Sequence, residues 1–239
     1  MKKIIAINGS PRKGWNTDKL LQSALKGAED AGAETKIIHL YDLNFRDCKS
    51  CLVCKLKGNK TDGICAIRDD LKSVYEEIFD ADGLIIGSPI YYSNLTGETI
   101  SFINRLLFPL RHYEDDGVDY MKKKKNCGLI ITLNGTEEIA EAIGFPKRFD
   151  SVAQELGMYI GGECETLFSY NTYQFTDYSK YYADFFDEKE KAKQREEQFP
   201  IDLKKAYTMG VKIATEPCIA NSMTVLDFLQ HESMKYKSM

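Results

Sequence analysis

The chain reads as an α/β protein built on a doubly wound, five-stranded parallel sheet. Three observations carry that reading. Five short apolar runs alternate with five amphipathic helical patterns along the 239 residues. The apolar runs are continuous, as expected of strands covered on both faces. The first run is followed at once by a Gly-Ser-Pro turn that leads into a helix, the punctuation of a βα unit. Right-handed crossovers then place helices on both sides of the sheet.

Taken in order, "KKIIAIN" is a short β-branched strand that stops at Gly9-Ser10-Pro11. Asn16 or Thr17 is positioned to cap the next helix, in which Leu20, Leu21, Ala24, Leu25 and Ala28 recur at helical spacing until Gly32 ends the pattern. "ETKIIHL" is the second strand. Residues 41–68 read as irregular and hold four cysteines. "DDLKSVYEEIF" is a helix with an acidic start, and "DGLIIGSP" the third strand. "TGETISFINRLL" is a helix expected to present Ile100, Ile103, Leu106 and Leu107 on one side. "NCGLIITLNG" is the fourth strand, "FPKRFDSVAQELGMY" a helix with Pro near its start, and "GECETLFSY" the fifth strand. "IDLKKAYTMGVKIATE" closes the pattern, with Leu203, Ala206, Tyr207, Gly210 and Ile213 expected inward. Two segments exceed this minimal plan. Residues 173–199 are crowded first with aromatics and then with charges. They read as a helical excursion packed on its own domain or on a second subunit, or as a wall that a partner chain adds to a site. The tail from Pro217 reads as an arm or an extra helix. One domain, residues 1–239 with a C-terminal extension, is the simplest count.

Composition narrows the function classes. A net charge of −4 with 43% hydrophobic residues supplies no general field for nucleic acid or an anionic membrane. The "KKKK" run at Lys122–Lys125 is expected to be a solvated strand start. No stretch approaches the roughly 20 apolar residues of a membrane span, and "MKKIIAING" is too short in apolar residues for a secretory signal. A cytoplasmic protein is expected. Its seven cysteines are then reduced, redox-active or metal-bound rather than a closed disulfide framework, since the number is odd.

The chemistry is carried by loops at strand ends. "NGSPRKGWNT" leaves the first strand and opens a helix, where unpaired backbone N–H groups and the helix dipole make an anion site. Ser10 and Thr17 supply hydroxyls, Asn16 an amide and Arg12 a planar cation suited to phosphate. No Gly-Lys-Ser/Thr follows, and the Gly-x-Gly-x-x-Gly turn is absent, so the loop suits one terminal phosphate rather than a pyrophosphate. A capped turn with a surface arginine is the alternative. After the third strand, Pro89, Ile90, Tyr91 and Tyr92 form a stiff apolar wall on which a flat ring can lie, and backbone N–H groups around Ser93 can meet ring heteroatoms. Asn134, Gly135 and Thr136 follow the fourth strand. One phosphate site and two loops flanking a flat ring describe a flavin mononucleotide (FMN) site.

"GSPRKGWNT" and "GSPIYYSNLTGETISFINRL" resemble the flavodoxin-like NADPH-dependent FMN reductases, and most of all their iron–sulfur flavoprotein branch, over roughly Met1 to Gly161. The resemblance implies a flavodoxin-like sheet of order 2-1-3-4-5, bound FMN, and a homodimer or homotetramer. It also implies an NAD(P)H:acceptor reductase that passes electrons from a reduced nicotinamide or a ferredoxin-like protein donor to a small acceptor. It assigns the phosphate to Ser10, Arg12, Asn16 and Thr17 and the ring to Pro89–Tyr92. Where relatives usually carry Lys and Asp-Arg, this chain has Ile100 and Asn104-Arg105.

"CKSCLVCKLKGNKTDGIC" places Cys48, Cys51, Cys54 and Cys65 together. Cys-x2-Cys-x2-Cys with a later fourth cysteine suits a [4Fe–4S] cluster, although the ten-residue final gap is longer than in the iron–sulfur flavoproteins. Zinc, or reduced cysteines without metal, are the alternatives. An electron carrier with such a cluster and a non-enzymatic interaction protein on the same shell are therefore the rival functions. Cys127, Cys164 and Cys218 are scattered, with Cys127 expected in the core. His39, His112 and His231 show no ligand spacing; His39 is expected to end the second strand and His112 to lie on a surface loop.

Overall fold

A computed structural model describes residues 1–111, 113 and 121–219. The expectations for His112, His231, the acidic residues 114–120 and most of the C-terminal tail fall outside the described residues.

Five long parallel strands carry the fold: β1 (Lys3–Asn8), β2 (Glu34–His39), β3 (Gly83–Tyr91), β5 (Asn126–Thr132) and β6 (Cys164–Ser169). They lie in the order β2-β1-β3-β5-β6, which is the expected 2-1-3-4-5 when the long strands alone are counted. A two-residue strand, β4 (Asn94–Leu95), folds back antiparallel on the end of β3. Registers such as Ile5↔Lys36 and Ile5↔Leu84 set Ile5 centrally between its neighbours.

The continuous apolar strands divide their side chains between two cores because successive residues point to opposite faces. Ile4, Ala6, Ile85 and Ile130 meet α1 (Asn16–Asp30) and α7 (Phe199–Thr215) on one face. Ile5, Ile7, Ile86 and Ile131 meet α2 (Leu71–Asp80), α3 (Gly97–Leu107) and α5 (Phe145–Ile160) on the other. The α1–α7 contact is closer than side chains allow. A Cβ on Gly210 would lie 1.8 Å from the Ala24 carbonyl oxygen, and one on Gly27 would lie 2.1 Å from that of Tyr207.

Several local expectations are corrected. Neither Asn16 nor Thr17 caps α1; Trp15 holds the cap position without a side-chain bond, and both predicted caps are buried inside the first turn. In α3 the buried positions include Thr99, Phe102, Arg105, Leu106 and Leu107, while Ile100 and Ile103 are only half-buried. In α7, Ala206, Gly210 and Ile213 face inward as expected, joined by Met209 and Asp202, while Leu203 and Tyr207 stay half-buried. Lys125 is not solvated. It is fully buried and its ammonium donates to the carbonyls of Ile78 at 2.5 Å and Phe79 at 3.2 Å, closing the C-terminal end of α2. Residues 170–187 hold no α-helix, only a 3-10 turn at Tyr178–Lys180, and their aromatics pack on one another: Phe175 stacks on Tyr181 at 4.1 Å and meets Tyr178 edge-on at 5.2 Å. Helix resumes only at α6 (Glu188–Lys193), which runs through a π turn into α7, and a short additional helix, α4 (Glu137–Ala142), precedes α5. The excursion packs on its own domain, with Tyr178 and Ala183 buried.

Candidate functional site

The C-terminal strand ends of a doubly wound sheet are where its ligands bind, and the three predicted loops meet there. The first loop is shaped by a buried network. Asn8, the last residue of β1, donates from Nδ2 to Asp18 Oδ1 at 2.7 Å and accepts the Ser10 N–H on Oδ1 at 2.8 Å. The other Asp18 oxygen accepts the Gly14 N–H at 2.7 Å. Asp18 thus pins both ends of the loop from inside the helix. Gly14 sits at φ 72, the left-handed region that favours glycine. Asn8 and Asp18 were not singled out from the sequence, and the Asn/Asp pair flanking the Gly-Ser-Pro turn is the signal that could have found them.

The predicted anion-binding side chains are partly committed elsewhere. Ser10 Oγ accepts the Arg12 N–H at 3.2 Å. Thr17 is buried, its hydroxyl 2.8 Å from that of Thr132 at the end of β5. Arg12 lies 3.2 Å over the Trp15 ring and donates to the Gln174 carbonyl at 2.6 Å. Asn16 donates to the Tyr173 carbonyl at 2.7 Å and accepts from Arg195 at 3.0 Å. The segment around Tyr173 and Gln174 is therefore a strap across the first loop, a wall that the sequence reading offered only as a partner chain's contribution and that here comes from the same chain.

The second loop is tied to the first through α3. Thr96, the N-cap of that helix, donates from its hydroxyl to the Gly9 carbonyl at 2.7 Å, and the Gly9 N–H donates to the Gly87 carbonyl at 2.8 Å. Beyond Tyr91 the chain reverses on Tyr92 and Ser93, both left-handed at φ 45 and 65, so that Asn94 pairs back on Tyr91. Positive φ at both central residues is the geometry of a tight hairpin, and without glycine it is strained. Arg148 of α5 holds the turn by donating to the Ser93 carbonyl at 2.7 Å.

The third loop supplies Asn134, whose amide donates to Gln174 Oε1 at 2.7 Å. Gly135 and Thr136 serve locally: the Gly135 carbonyl accepts the Asn171 N–H at 2.7 Å, and Thr136 caps α4. Behind this loop the buried Lys191 ammonium donates to Asn134 and, at 2.8 Å, to Asn171 Oδ1. Burial without a carboxylate partner lowers its pKa to about 8.

One cavity of about 140 Å³ results. Of the predicted residues, Ser10, Arg12, Asn16, Thr17, Pro89, Ile90, Tyr91 and Asn134 line it. Tyr92, Ser93, Gly135 and Thr136 do not, and Thr132, Thr172, Tyr173 and Gln174 join unpredicted.

On the flank of the sheet, Cys48, Cys51, Cys54 and Cys65 face one narrow cavity together with Arg105 and Phe108. Arg105 brackets the cysteine loop at both ends. It donates to the Arg46 carbonyl at 2.7 Å on one side and grips Asp69 through two bonds of 2.6 and 2.9 Å on the other. Its Nε is buried with no acceptor. Burial raises the Cys54 thiol pKa. Among the described residues no group of three or more Cys, His, Asp or Glu stands at metal-holding distances. Four cysteines nonetheless line this one cavity, and four thiolates are the ligand number of a [4Fe–4S] cluster.

The remaining cysteines are less scattered than the sequence implied. Cys127 is buried as expected and is the register partner of Cys164, while Cys218 packs on the turn before β6, 3.7 Å from the Gly161 carbonyl. His39 ends β2 as expected, 4.0 Å from Asp18.

Comparison with known proteins bears on the family and the fold. The family model for NADPH-dependent FMN reductase matches residues 2–127. An iron–sulfur flavoprotein of Archaeoglobus fulgidus is 33% identical over 146 residues, covering 61% of each chain. One from Clostridioides difficile is 29% identical, covering 73% of this chain and 71% of the relative. The chain spans about half to three fifths of the length of the first Archaeoglobus relatives it matches, 48% and 61%. Among solved structures, the fold is shared with the NAD(P)H:quinone oxidoreductase of Methanothermobacter marburgensis (TM-score 0.66, 17% identity, 88% of this chain and 98% of that one). It is also shared with an FMN-dependent NADH-azoreductase of Bacillus anthracis solved with FMN (TM-score 0.60, 11% identity, 90% and 100%).

Proposed function

The chain belongs to the NADPH-dependent FMN reductase family, and from that premise we propose that it is an FMN-dependent NAD(P)H oxidoreductase acting on a small acceptor such as a quinone or a second flavin. The observation that carries the proposal is the single cavity shared by the first loop, the end of β3 and the end of β5. Three loops from separate strands, in the order that a phosphate and then a flat ring require, enclose one space. A flavin bound there supplies the hydride and electron transfer itself.

The chain's own residues then bind and orient. Arg12, Ser10 and the uncapped first turn of α1 offer charge and N–H donors to a phosphate. Pro89, Ile90 and Tyr91 offer an apolar shelf for the ring. The strap carbonyls of Tyr173 and Gln174 now hold Asn16 and Arg12, so phosphate binding competes with those two bonds. No side-chain acid or base is assigned a catalytic role. We take the chain as one domain that works as a homodimer or homotetramer. Among the described residues no helix is long and apolar enough to cross a membrane.

Anaerobic isolation tests the reading. Bound flavin in the visible spectrum, bleached by NADPH or NADH and restored by a quinone, is the expected result; a colourless protein that takes up no added FMN overturns it.

A second reading, electron carriage through a [4Fe–4S] cluster on Cys48, Cys51, Cys54 and Cys65, is supported by the one cavity that those four cysteines line beside Arg105. Reconstitution with iron and sulfide should then give about four iron atoms per chain, the content of one such cluster. Substituting Cys51 by Ala should lower that content while FMN binding persists. Wild-type protein that retains no iron overturns it.

A further inference from the structure

A second concavity, of about 370 Å³, lies against the outer side of the first loop, between the start of α1 and the strap. It falls in the size range of small-molecule sites. It shares Trp15, Asn16 and Tyr173 with the candidate flavin cavity. The function proposed above places a flavin in the first cavity and assigns nothing to this one.

Its chemistry is distinct. Two cations, Lys19 and Arg195, line it, and none of its lining residues is acidic. Arg195 spends one bond on Asn16 Oδ1 at 3.0 Å and lies 4.5 Å over the Phe199 ring; neither contact neutralises it. Partial desolvation, and after it the nearby Arg195 charge, lower the pKa of the largely exposed Lys19. The walls are aromatic: Trp15, Tyr173 and Phe175. Phe175 is held flat by its stack on Tyr181 at 4.1 Å and 14°. Gly14 stands at the rim, where a Cβ would meet nothing within 4 Å, so the rim is open.

Paired cations select a phosphate, and flat aromatic walls select a planar base. We infer that this cavity binds a phosphorylated purine nucleotide, separate from the flavin. The inference rests on the flavin reading for the neighbouring cavity. The same chemistry has two sources: the phosphorylated adenine end of a nicotinamide dinucleotide donor, or a free adenine nucleotide acting as an effector.

Trp15 is the only tryptophan in the chain and lines both cavities, so once FMN fills the first its fluorescence reports binding in the second. FMN-loaded protein titrated with 2′,5′-ADP should show a saturable tryptophan response, matched by calorimetry. Lys19→Gln should weaken that binding roughly fivefold to tenfold, less than a sheltered charge-assisted contact because Lys19 is exposed and its charge is screened by solvent, with flavin content unchanged. In steady-state assays, 2′,5′-ADP raising the KM for NADPH assigns the site to the donor. A lowered kcat at constant KM assigns it to a free effector; either outcome supports the site. No saturable binding, or equal affinity in Lys19→Gln, overturns the inference. So does loss of FMN from Lys19→Gln, which would make this cavity the seat of the flavin's own phosphate. A chain that takes up no FMN would overturn the function proposed above instead, while calorimetric binding of 2′,5′-ADP that Lys19→Gln weakens would still support the second cavity, since Lys19 lines that cavity and not the first.

Discussion

Asn16 Nδ2 donates to the Tyr173 carbonyl oxygen at 2.7 Å, joining positions 157 residues apart. This bond, with Arg12 to Gln174 at 2.6 Å, lays the strap over the first loop. Two cavities lie on either side of that junction, and both count Asn16 and Tyr173 among their walls.

The first prediction concerns Arg12. A charge-assisted contact to phosphate contributes about 1.5–3 kcal/mol, so Arg12→Ala should raise the dissociation constant for FMN by roughly tenfold to hundredfold. Equilibrium dialysis against FMN measures it. Undiminished affinity would remove Arg12 from the phosphate site and leave it only its stack on Trp15 and its bond to the strap.

Gly9 decides whether the first two loops can touch. A Cβ there would stand 1.8 Å from Thr99 Oγ1 and 3.1 Å from the Gly87 carbonyl oxygen. Gly9→Ala must turn the Thr99 hydroxyl away from its bond to Thr96 or shift α3, at about 1–3 kcal/mol for overpacking a filled site. Urea unfolding should show that loss together with weaker FMN retention. A variant as stable as wild type would show that α3 has room to shift.

Arg105 and Asp69 test the clamp on the cysteine loop. The Arg105 side chain is fully buried and meets Asp69 at 2.6 Å. Asp69→Ala leaves that cation without its carboxylate, which costs about 3–5 kcal/mol for a buried pair broken on one side. The unfolding midpoint should fall accordingly. Limited proteolysis between Arg46 and Ile67 should accelerate, because Arg105 also holds the carbonyls of both residues. Unchanged stability would mean that water replaces the carboxylate at no cost.

Lys191 and Lys125 set a pH dependence. Burial holds both pKa values at about 8 in the folded chain, against 10.5 for an ordinary lysine. Between those values the unfolded chain binds more protons than the folded one, so both lysines make folding more favourable as pH rises from 8 towards 10.5. Urea midpoints measured across that window should climb more steeply in wild type than in Lys191→Met. Equal slopes would show that the folded Lys191 ammonium titrates like an exposed one.

The strand–helix alternation and the three loops at the strand ends were legible in the sequence, while the sheet order came only from the family resemblance. Continuous apolar runs, helical spacing and Gly-Ser-Pro punctuation are properties of neighbouring residues, and they survive without knowledge of the rest of the chain. Ser10, Arg12, Pro89, Tyr91 and Asn134 could be named for that reason. Tyr92 and Ser93 were legible as a turn but not as its left-handed tip, because neither residue type announces positive φ.

Tertiary structure alone decided which distant groups would meet. The Tyr173–Gln174 strap, the Lys191 ammonium behind Asn134, the Arg105 clamp around the cysteines and the pairing of Lys19 with Arg195 join segments that share no local pattern. A charged side chain on a helix or at a strand entry reads as solvent-facing in the sequence, yet Arg105 of α3, Lys191 of α6 and Lys125 before β5 are buried. Each is kept inside by backbone carbonyls or side-chain oxygens brought to it by the fold, and such acceptors exist only once the chain has closed around the charge.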